Sequence, residues 1–183
     1  MYTLKTEGVI IKRRNVNEAD KLITVLTRTN GKLQIKAPGV RKIASRRSPH
    51  IELLNRSFLT LYVRYTTPVL TEAQMVSDYK FIKQDLLKIG YAYHICEITD
   101  GLCAEGQENE TVFELLIATL DNLCATSDPF AVVHDFELDL LETLGFGTAK
   151  MRTSEYFNIH AYIESLLEKK LRSKDIFLQK ESY

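Results

Sequence analysis

The sequence lacks the short motifs that mark the common classes of enzyme. Its 183 residues contain no Walker-type phosphate loop, no GxSxG nucleophile elbow, no HExxH helix and no dinucleotide-binding fingerprint. Ser45 and Ser48 have no neighbouring base that would activate a nucleophile. One stretch of four carboxylates is more typical of a solvated helix face than of an acid–base pair; it comprises Asp135, Glu137, Asp139 and Glu142. We therefore expect no enzyme activity.

Cysteine is scarce, and histidine shows no pattern along the chain. The three cysteines, Cys96, Cys103 and Cys124, form no CxxC pair, which argues against a disulfide framework and against a structural zinc site. Each cysteine falls in an apolar helical pattern, which favours a small buried hydrophobic residue. The four histidines lie far apart without ligand spacing; they are His50, His94, His134 and His160. We expect no metal and no cofactor.

Long apolar runs are also absent. No stretch of eighteen apolar residues occurs, and the first thirty residues do not combine a basic start, an apolar core and a small-residue cleavage site. The sequence therefore predicts a cytoplasmic protein without a membrane-spanning segment.

Net charge is zero, but the two halves of the chain differ strongly. Residues 1–80 contain 15 Lys and Arg against 6 Asp and Glu, a net charge of +9, whereas residues 81–183 carry −9. Such an asymmetry indicates two domains with different partners, one of them a polyanion. We place the boundary at residue 80, between a domain of residues 1–80 and a domain of residues 81–183.

The basic half is organised around residues 36–47, KAPGVRKIASRR, which hold five cations and no acid. Pro38 and Gly39 favour turns, so the stretch indicates a flexible basic loop between strands. Charge runs are often merely solvated, but here cations also end the first predicted strand. Tyr62 and Tyr65 offer one candidate ring for stacking on bases. The candidate phosphate-binding residues are Arg13, Arg14, Lys21, Lys36, Arg41, Lys42, Arg46 and Arg47.

Alternating apolar residues predict five short antiparallel strands in residues 8–14, 21–27, 32–37, 58–65 and 69–76. The Asn30-Gly31 step predicts a tight hairpin between the second and third strands. Five strands in so short a chain suit a small closed barrel, because closure removes exposed edges. The oligonucleotide-binding (OB) barrel is the leading candidate, and an SH3-like barrel is the alternative.

From residue 81 the apolar period changes to about 3.6, which predicts a small helical domain. The first helix is expected to bury a stripe of five residues; these are Ile82, Leu86, Ile89, Tyr93 and Cys96. Further helices are expected from residue 109 or 110, from Pro129 with Asp128 as cap, and from about Glu155 to Leu171 or beyond. The predicted fold class is therefore α+β, an OB-fold barrel followed by an all-α domain.

The string GVIIKRRNVNEADKLITVLTRTNGKLQIKAPGVRK, residues 8–42, resembles the opening of the RecO family of bacterial DNA repair and recombination mediators. The resemblance continues through residues 58–76, through FELDLLETLGFG at 136–147, and into LRSKDIFLQ at 171–179. It implies an OB-fold barrel and a helical domain. It also implies binding of single- and double-stranded DNA, annealing of complementary strands, and loading of the recombinase RecA with RecR onto strands coated by single-strand-binding protein, at the nucleoid.

Two features depart from that family. Its members usually carry a further segment, often with four zinc-binding cysteines, between the stretch at 136–147 and the last helix, whereas here Gly147 reaches Tyr156 in nine residues. The resemblance also places a cation that meets the acidic tail of single-strand-binding protein where this chain has Asp135, preceded by His134. We expect this interaction to be absent or to involve Lys169, Lys170 and Arg172 instead.

Two other functions are compatible with the residues. The acidic helical domain could serve a protein-interaction adaptor, with the barrel as its scaffold. The basic barrel could equally bind RNA, since the electrostatics are shared and only preference for the 2′-hydroxyl differs.

Overall fold

Five strands form a closed barrel at the start of the chain. The computed structural model describes residues 1–147, 151–153 and 157–174. The strands are β1 (Tyr2–Val16), β2 (Asp20–Thr27), β3 (Gly31–Ala37), β4 (Arg56–Val63) and β5 (Val69–Ser77). The number of strands and their order along the chain agree with the sequence prediction, although β1 begins six residues earlier than expected.

The barrel closes in the order β1-β2-β3-β5-β4. The long strand β1 pairs antiparallel with β4 through its first half and with β2 through its second half, and its register shifts between Ile10 and Lys12. Strands β3 and β5 meet in parallel where Lys36 lies opposite Val69. This ring order is that of the OB fold, which confirms the leading prediction over the SH3-like alternative.

The β2–β3 hairpin is specified by Gly31. Residues 28–30 make the turn, and Gly31 has a φ of 63°. Glycine adopts this left-handed conformation without the steric strain that a side chain would cause. Asn30 is not among the residues with positive φ, so only Gly31 of the predicted Asn-Gly step adopts one, and the tight hairpin has a three-residue turn. A Cβ at Gly31 would also lie 2.1 Å from the carbonyl oxygen of Gln107. Position 31 therefore excludes side chains for two independent reasons.

The barrel interior is filled by aliphatic side chains from every strand and from the segment between β3 and β4. Each such side chain contributes about 1.5–3 kcal/mol when it is fully buried. The cluster comprises Ile10, Ile23, Val25, Ile35, Ala37, Val40, Ile51, Leu59, Leu61 and Leu70. Val40 and Ile51 hold the β3–β4 connection onto the barrel, so this connection is part of the fold rather than an appendage.

Helices follow the barrel in the chain. They are α1 (Lys80–Lys83), α2 (Leu86–Leu102), α3 (Glu110–Ala125), α4 (Pro129–Thr143) and α5 (Ile159–Leu167), with a short 3₁₀ turn at Arg172–Lys174. Asp128 and Asn158 cap the starts of α4 and α5 by accepting bonds from Ala131 and Ala161. The structure ends the last predicted helix at Leu167, where Glu168 adopts a left-handed conformation with a φ of 52°, so the predicted extension to Leu171 is wrong. The predicted start near Glu155 and the family-like residues 175–179 lie outside the described residues.

The first predicted helix is two helices. Asp85 accepts hydrogen bonds from the backbone N–H groups of Leu87 and Lys88 at 2.9 and 3.1 Å, so it caps a new helix instead of continuing the old one. The break rotates the apolar stripe. Leu86 is 90% exposed and Tyr93 is 46% exposed, so the predicted stripe is wrong for these two residues.

The described residues form two compact units. The first contains Met1–Asp78 together with Ala104–Phe113, and the second contains Tyr79–Cys103 together with the described residues from 114 onward. Within the first unit, Glu105 forms an isolated parallel β-bridge with Lys32 through the backbone. The carboxylate of Glu105 also accepts a hydrogen bond from the side chain of Gln34. None of the helices in residues 1–147, 151–153 and 157–174 is both long and apolar enough to cross a membrane.

Candidate nucleic-acid interface

The basic loop of residues 38–47 is anchored to the β1–β2 turn. Gly39 N–H donates to Asp20 Oδ1 at 2.9 Å, and Arg41 N–H donates to the carbonyl of Ala19 at 3.0 Å. The Arg41 side chain donates from Nη1 to the carbonyl of Asn17 at 3.1 Å. Three hydrogen bonds therefore fix the direction of a loop that the sequence indicated to be flexible.

Arg47 closes the other end of the same loop. Its Nη1 donates to the carbonyl of Leu70 at 2.6 Å and its Nη2 donates to the carbonyl of Pro38 at 2.7 Å. Two buried or half-buried backbone acceptors are thereby satisfied by one planar guanidinium, a geometry that Lys cannot reproduce. Among the predicted phosphate-binding residues, Arg47 is thus placed to shape the loop.

Seven of the eight predicted cations lie at this end of the barrel, and two of them, Arg13 and Lys21, are half-buried in register with the core residues Ile23 and Ala37. We call the seven the basic edge; its members are Arg13, Arg14, Lys21, Lys36, Arg41, Lys42 and Arg46. Leu22 of β2 pairs with Arg14 of β1 on one side and with Lys36 of β3 on the other. Since Lys21 precedes Leu22 in β2, all three strands carry cations at the same end of the barrel. Arg14, Lys36, Arg41, Lys42 and Arg46 are exposed.

Two acids temper the basic edge. Arg13 Nη1 lies 2.6 Å from Glu52 Oε1, and Lys36 Nζ lies 3.5 Å from Asp20 Oδ2. Each pair joins one exposed and one half-buried side chain. Fully exposed pairs contribute about 0–1 kcal/mol, so these pairs lie at or somewhat above that range. No pattern in the sequence indicates either pairing, because each joins residues that are distant along the chain.

Lys21 reports how closely the cations are packed. Partial burial lowers its pKa below the ordinary value, and the charges of Arg13 and Arg41 lower it further, with Glu52 acting in the opposite direction. Three like charges therefore converge at the point where β1, β2 and the basic loop meet. Such repulsion is relieved by a polyanion, which makes this point the electrostatic focus of the basic edge.

The β4–β5 loop adjoins the basic edge through Lys36, whose backbone N–H donates to the carbonyl of Pro68 at 2.9 Å. This loop presents Tyr65, 73% exposed, with the guanidinium of Arg64 5.1 Å from the ring centroid. Tyr65 therefore lies beyond the strand in which the sequence placed it, whereas Tyr62 is half-buried in β4. An exposed ring paired with an arginine is suited to stacking on a base.

One apolar side chain stands at the tip of the basic loop. Ile43 is fully exposed between Lys42 and Arg46. Arg64 and Ile43 are the residues that reasoning from charge runs missed. Arg64 ends a strand away from the basic run, and the exposure of Ile43 depends on a turn that sequence periodicity does not specify.

The three predicted partner-binding cations lie after α5. Lys169, Lys170 and Arg172 are all exposed, and the backbone N–H of Arg172 donates to Glu97 at 3.0 Å, which fixes the segment on α2. The structure thus places them on one short exposed segment of the helical unit.

The acidic face of α4 is less uniform than the sequence suggested. Asp135 is exposed, but Asp139 and Glu142 pair with Arg152 at 2.6 and 2.8 Å. Glu137 is only 1% exposed, so its assignment to a solvated face is wrong. Its burial alone would raise its pKa, yet hydrogen bonds from three histidines hold the pKa well below the ordinary value. Residues 134–142 are therefore not a plain acidic surface.

The fold and its basic edge define the class of the protein: an OB-fold barrel with cations gathered at one end, followed in the chain by an all-α unit. The family model described as "Recombination protein O N terminal" matches residues 1–79, and the model described as "Recombination protein O C terminal" matches residues 83–153. The chain belongs to the RecO family, as its resemblance in sequence indicated.

Named relatives agree with this assignment. The chain is 35% identical over 142 residues to the DNA repair protein RecO of Roseiflexus sp. (strain RS-1), covering 78% of this chain and 50% of that protein. It is 36% identical over 141 residues to the DNA repair protein RecO of Moorella thermoacetica, covering 77% and 52%. It is 31% identical over 147 residues to the DNA repair protein RecO of Symbiobacterium thermophilum, covering 80% of this chain and 58% of that protein. The chain thus matches about half the length of these curated relatives.

Proposed function

We propose that the chain acts in DNA repair and recombination as a mediator that binds single- and double-stranded DNA and anneals complementary strands. The observation that carries this proposal is the convergence of Arg13, Lys21 and Arg41, with the anchored loop extending the same positive edge. Cations that neutralise phosphates release counterions and lower the repulsion between two strands. Annealing of this kind needs no nucleophile and no general base, so the proposed role is not enzymatic.

Binding is expected to be independent of base sequence. Sequence is read by side chains that reach base edges, whereas the basic edge consists of flexible or point-charge groups suited to phosphate oxygens. Tyr65 and Ile43 offer surfaces on which unstacked bases can pack. Because every base has a flat face, such packing does not depend on base sequence. The arrangement therefore favours single strands and strand ends over the reading of a particular site.

We further propose that the helical unit supplies protein contacts. Family membership supports a shared role with RecR and single-strand-binding protein, and indirectly with RecA, at the nucleoid. The exposed cations Lys169, Lys170 and Arg172 would meet the acidic tail of single-strand-binding protein, since the exposed Asp135 would repel it. The absence of the zinc-binding segment found in other members is a prediction from the sequence. The division of roles between residues 1–80 and 81–183 is a prediction as well.

Salt dependence of DNA binding tests the proposal. In Arg41→Ala/Lys42→Ala, binding to unrelated single-stranded oligonucleotides should weaken about equally. The slope of log K against log salt should become shallower by roughly one unit for each phosphate that the variant no longer neutralises. The matched control is Lys5→Ala/Lys80→Ala, which removes two exposed cations outside the basic edge. Fluorescence anisotropy between about 50 and about 200 mM salt measures both quantities.

Three results would contradict this function. Wild-type binding that ignores salt, a loss confined to particular base sequences, or an equal loss in the control variant would each reject the basic edge as the binding surface. Competition with a matched RNA strand separates the RNA-binding alternative, which predicts preference for RNA. Full partner binding by a chain that carries the Arg41→Ala/Lys42→Ala change but no longer binds DNA would favour the adaptor alternative.

A further inference from the structure

Three of the four histidines converge on one buried carboxylate in the helical unit. His94 Nε2 lies 2.6 Å from Glu137 Oε1, and His160 Nε2 lies 3.1 Å from the same oxygen. His134 Nδ1 lies 3.8 Å from the other carboxylate oxygen. The side chains of His94 and Glu137 are 0% and 2% exposed, and that of His160 is 19% exposed. Nothing in the proposed DNA-binding role uses this cluster.

The cluster is built from three separate helices. His94 comes from α2, Glu137 from α4 and His160 from α5, so the sequence separations hide a grouping that folding creates. One ligand atom from each of the three lies within 4.8 Å of the other two. Two imidazoles and a carboxylate form the donor set of many zinc sites.

The hydrogen bonds around His94 determine which of its ring nitrogens carries the proton. Ser173 Oγ donates at 2.7 Å to Glu97, a carboxylate that can only accept. Ser173 Oγ must then accept from Nδ1 of His94, also 2.7 Å away, which places the ring proton on Nδ1. The Nε2 lone pair of a neutral His94 therefore faces a carboxylate oxygen at 2.6 Å. At that distance the two lone pairs share a proton, and a metal ion can replace this proton only if the two atoms move apart.

We propose that His94, Glu137 and His160 bind a divalent transition metal ion, with Zn²⁺ as the preferred ion, and that this ion ties α2, α4 and α5 together. Bonds of about 2.0–2.1 Å in a tetrahedron put neighbouring ligand atoms roughly 3.3 Å apart. The His160–Glu137 distance already approaches that value, and the His94–Glu137 distance needs to open by roughly 0.7 Å on the same bond-length criterion.

The surroundings match those of a metal site. A ligating histidine usually donates its second ring N–H to a carboxylate, a carbonyl or an ordered hydroxyl, which fixes the ring and strengthens the ligand. Here Ser173 receives that proton and is itself held by Glu97 through both its hydroxyl and its backbone N–H, the latter at 3.0 Å. His134, whose side chain is 43% exposed and stacked on Phe130, lies beside the other oxygen of Glu137 and outside this ligand group, so water would supply the fourth ligand.

The site would be structural in effect. A metal ion that binds the folded state and not the unfolded chain stabilises the fold by mass action. It would hold the segment after α5, where Lys169 and Lys170 lie, because Ser173 is bonded to a ligand. The inference concerns the helical unit and does not depend on DNA binding by the barrel.

Metal titration of the full chain, purified without a polyhistidine tag and treated with a chelator, tests the site. The wild type should bind one equivalent of Zn²⁺ in competition with a chromophoric chelator, and its melting temperature should rise until one equivalent has been added. Co²⁺ should give the visible spectrum of nitrogen and oxygen ligands without a thiolate charge-transfer band. Glu137→Gln and His160→Gln should each weaken binding by at least about 100-fold, and Ser173→Ala by about 10–100-fold.

Controls separate this site from other routes to metal binding. Asp135→Asn removes an exposed carboxylate from the same helix, and Cys124→Ser removes the most accessible thiol, so both should bind metal as the wild type does. No saturable uptake by the wild type, with no rise in melting temperature, would overturn the proposal in favour of a proton between His94 and Glu137. Wild-type affinity in Glu137→Gln and His160→Gln would overturn it as well, and the circular dichroism of each variant shows that it is folded.

Discussion

Asp20 accepts a hydrogen bond from the backbone N–H of Gly39 at 2.9 Å, and this contact joins the first residue of β2 to the basic loop after β3. The bond lowers the pKa of Asp20. The same carboxylate faces Lys36 with its other oxygen. Asp20 thus both reduces the positive charge of the basic edge and holds its most charged loop in place.

These two roles of Asp20 predict opposite effects on DNA binding. Asp20→Asn removes the negative charge but retains an oxygen that can accept from Gly39, so DNA affinity should rise or stay unchanged. Asp20→Ala removes charge and anchor together and should weaken binding. Anisotropy at one fixed salt concentration compares the two. If both variants bind more tightly by the same factor, charge alone governs binding and the anchor is irrelevant.

Arg47 should behave as a structural residue. Arg47→Ala leaves the carbonyls of Leu70 and Pro38 without their donor, which should cost about 1–3 kcal/mol of the free energy of unfolding. Arg47→Lys keeps the charge but cannot reach both carbonyls, so urea denaturation should find it destabilised too. Wild-type stability in Arg47→Lys, combined with a loss of DNA binding in Arg47→Ala, would instead make Arg47 a phosphate contact.

Lys21 should hold its proton more tightly when DNA binds. Its pKa is lowered in the free protein by burial and by neighbouring cations, so the charged form is disfavoured there and gains stability as phosphate arrives. The pKa of Lys21 should therefore rise on addition of an oligonucleotide. NMR titration of lysine side-chain signals at alkaline pH measures this shift, with Lys5 as an exposed reference. An unchanged or lowered pKa would place the DNA elsewhere.

Ile43 offers a direct reporter of base contact. The chain has no tryptophan, so Ile43→Trp introduces a single indole fluorophore at the tip of the basic loop. Stacking on an unpaired base contributes about 1–3 kcal/mol, so this variant should bind single strands more tightly and its fluorescence should be quenched. Ile43→Ala should leave the salt slope unchanged. Unquenched fluorescence at saturating DNA would show that the loop tip does not reach the bases.

Periodicity in the sequence was sufficient to predict the barrel. The alternation of Leu33, Ile35 and Ala37 with polar neighbours placed β3, and the period of two is set by the strand itself, so no distant residue needs to be known. The helical period of about 3.6 likewise predicted α3 from residue 109 or 110. This helix buries four apolar side chains completely; they are Val112, Leu116, Leu120 and Leu123.

Specific side-chain hydrogen bonds and burial between helices could not be predicted in this way. The cap at Asp85 breaks a helix that apolar spacing alone would continue, because a carboxylate competes for backbone donors that periodicity ignores. Arg47 looked like one more cation, and only the positions of two carbonyls in the fold give it another role. Glu137 looked like a surface acid, and only the packing of three helices makes it a buried partner of histidines.

The return of Ala104–Phe113 to the barrel unit means that the chain crosses between its two units three times. No single scission of the backbone yields two complete units. A fragment ending near residue 80 loses the β-bridge partner of Lys32 and exposes the hairpin at Gly31. A fragment beginning there contains Ala104–Phe113 without the strands on which this segment packs. In truncated fragments, misfolding would therefore be mistaken for loss of function. Point substitutions in the full chain are the better way to assign functions to the two units.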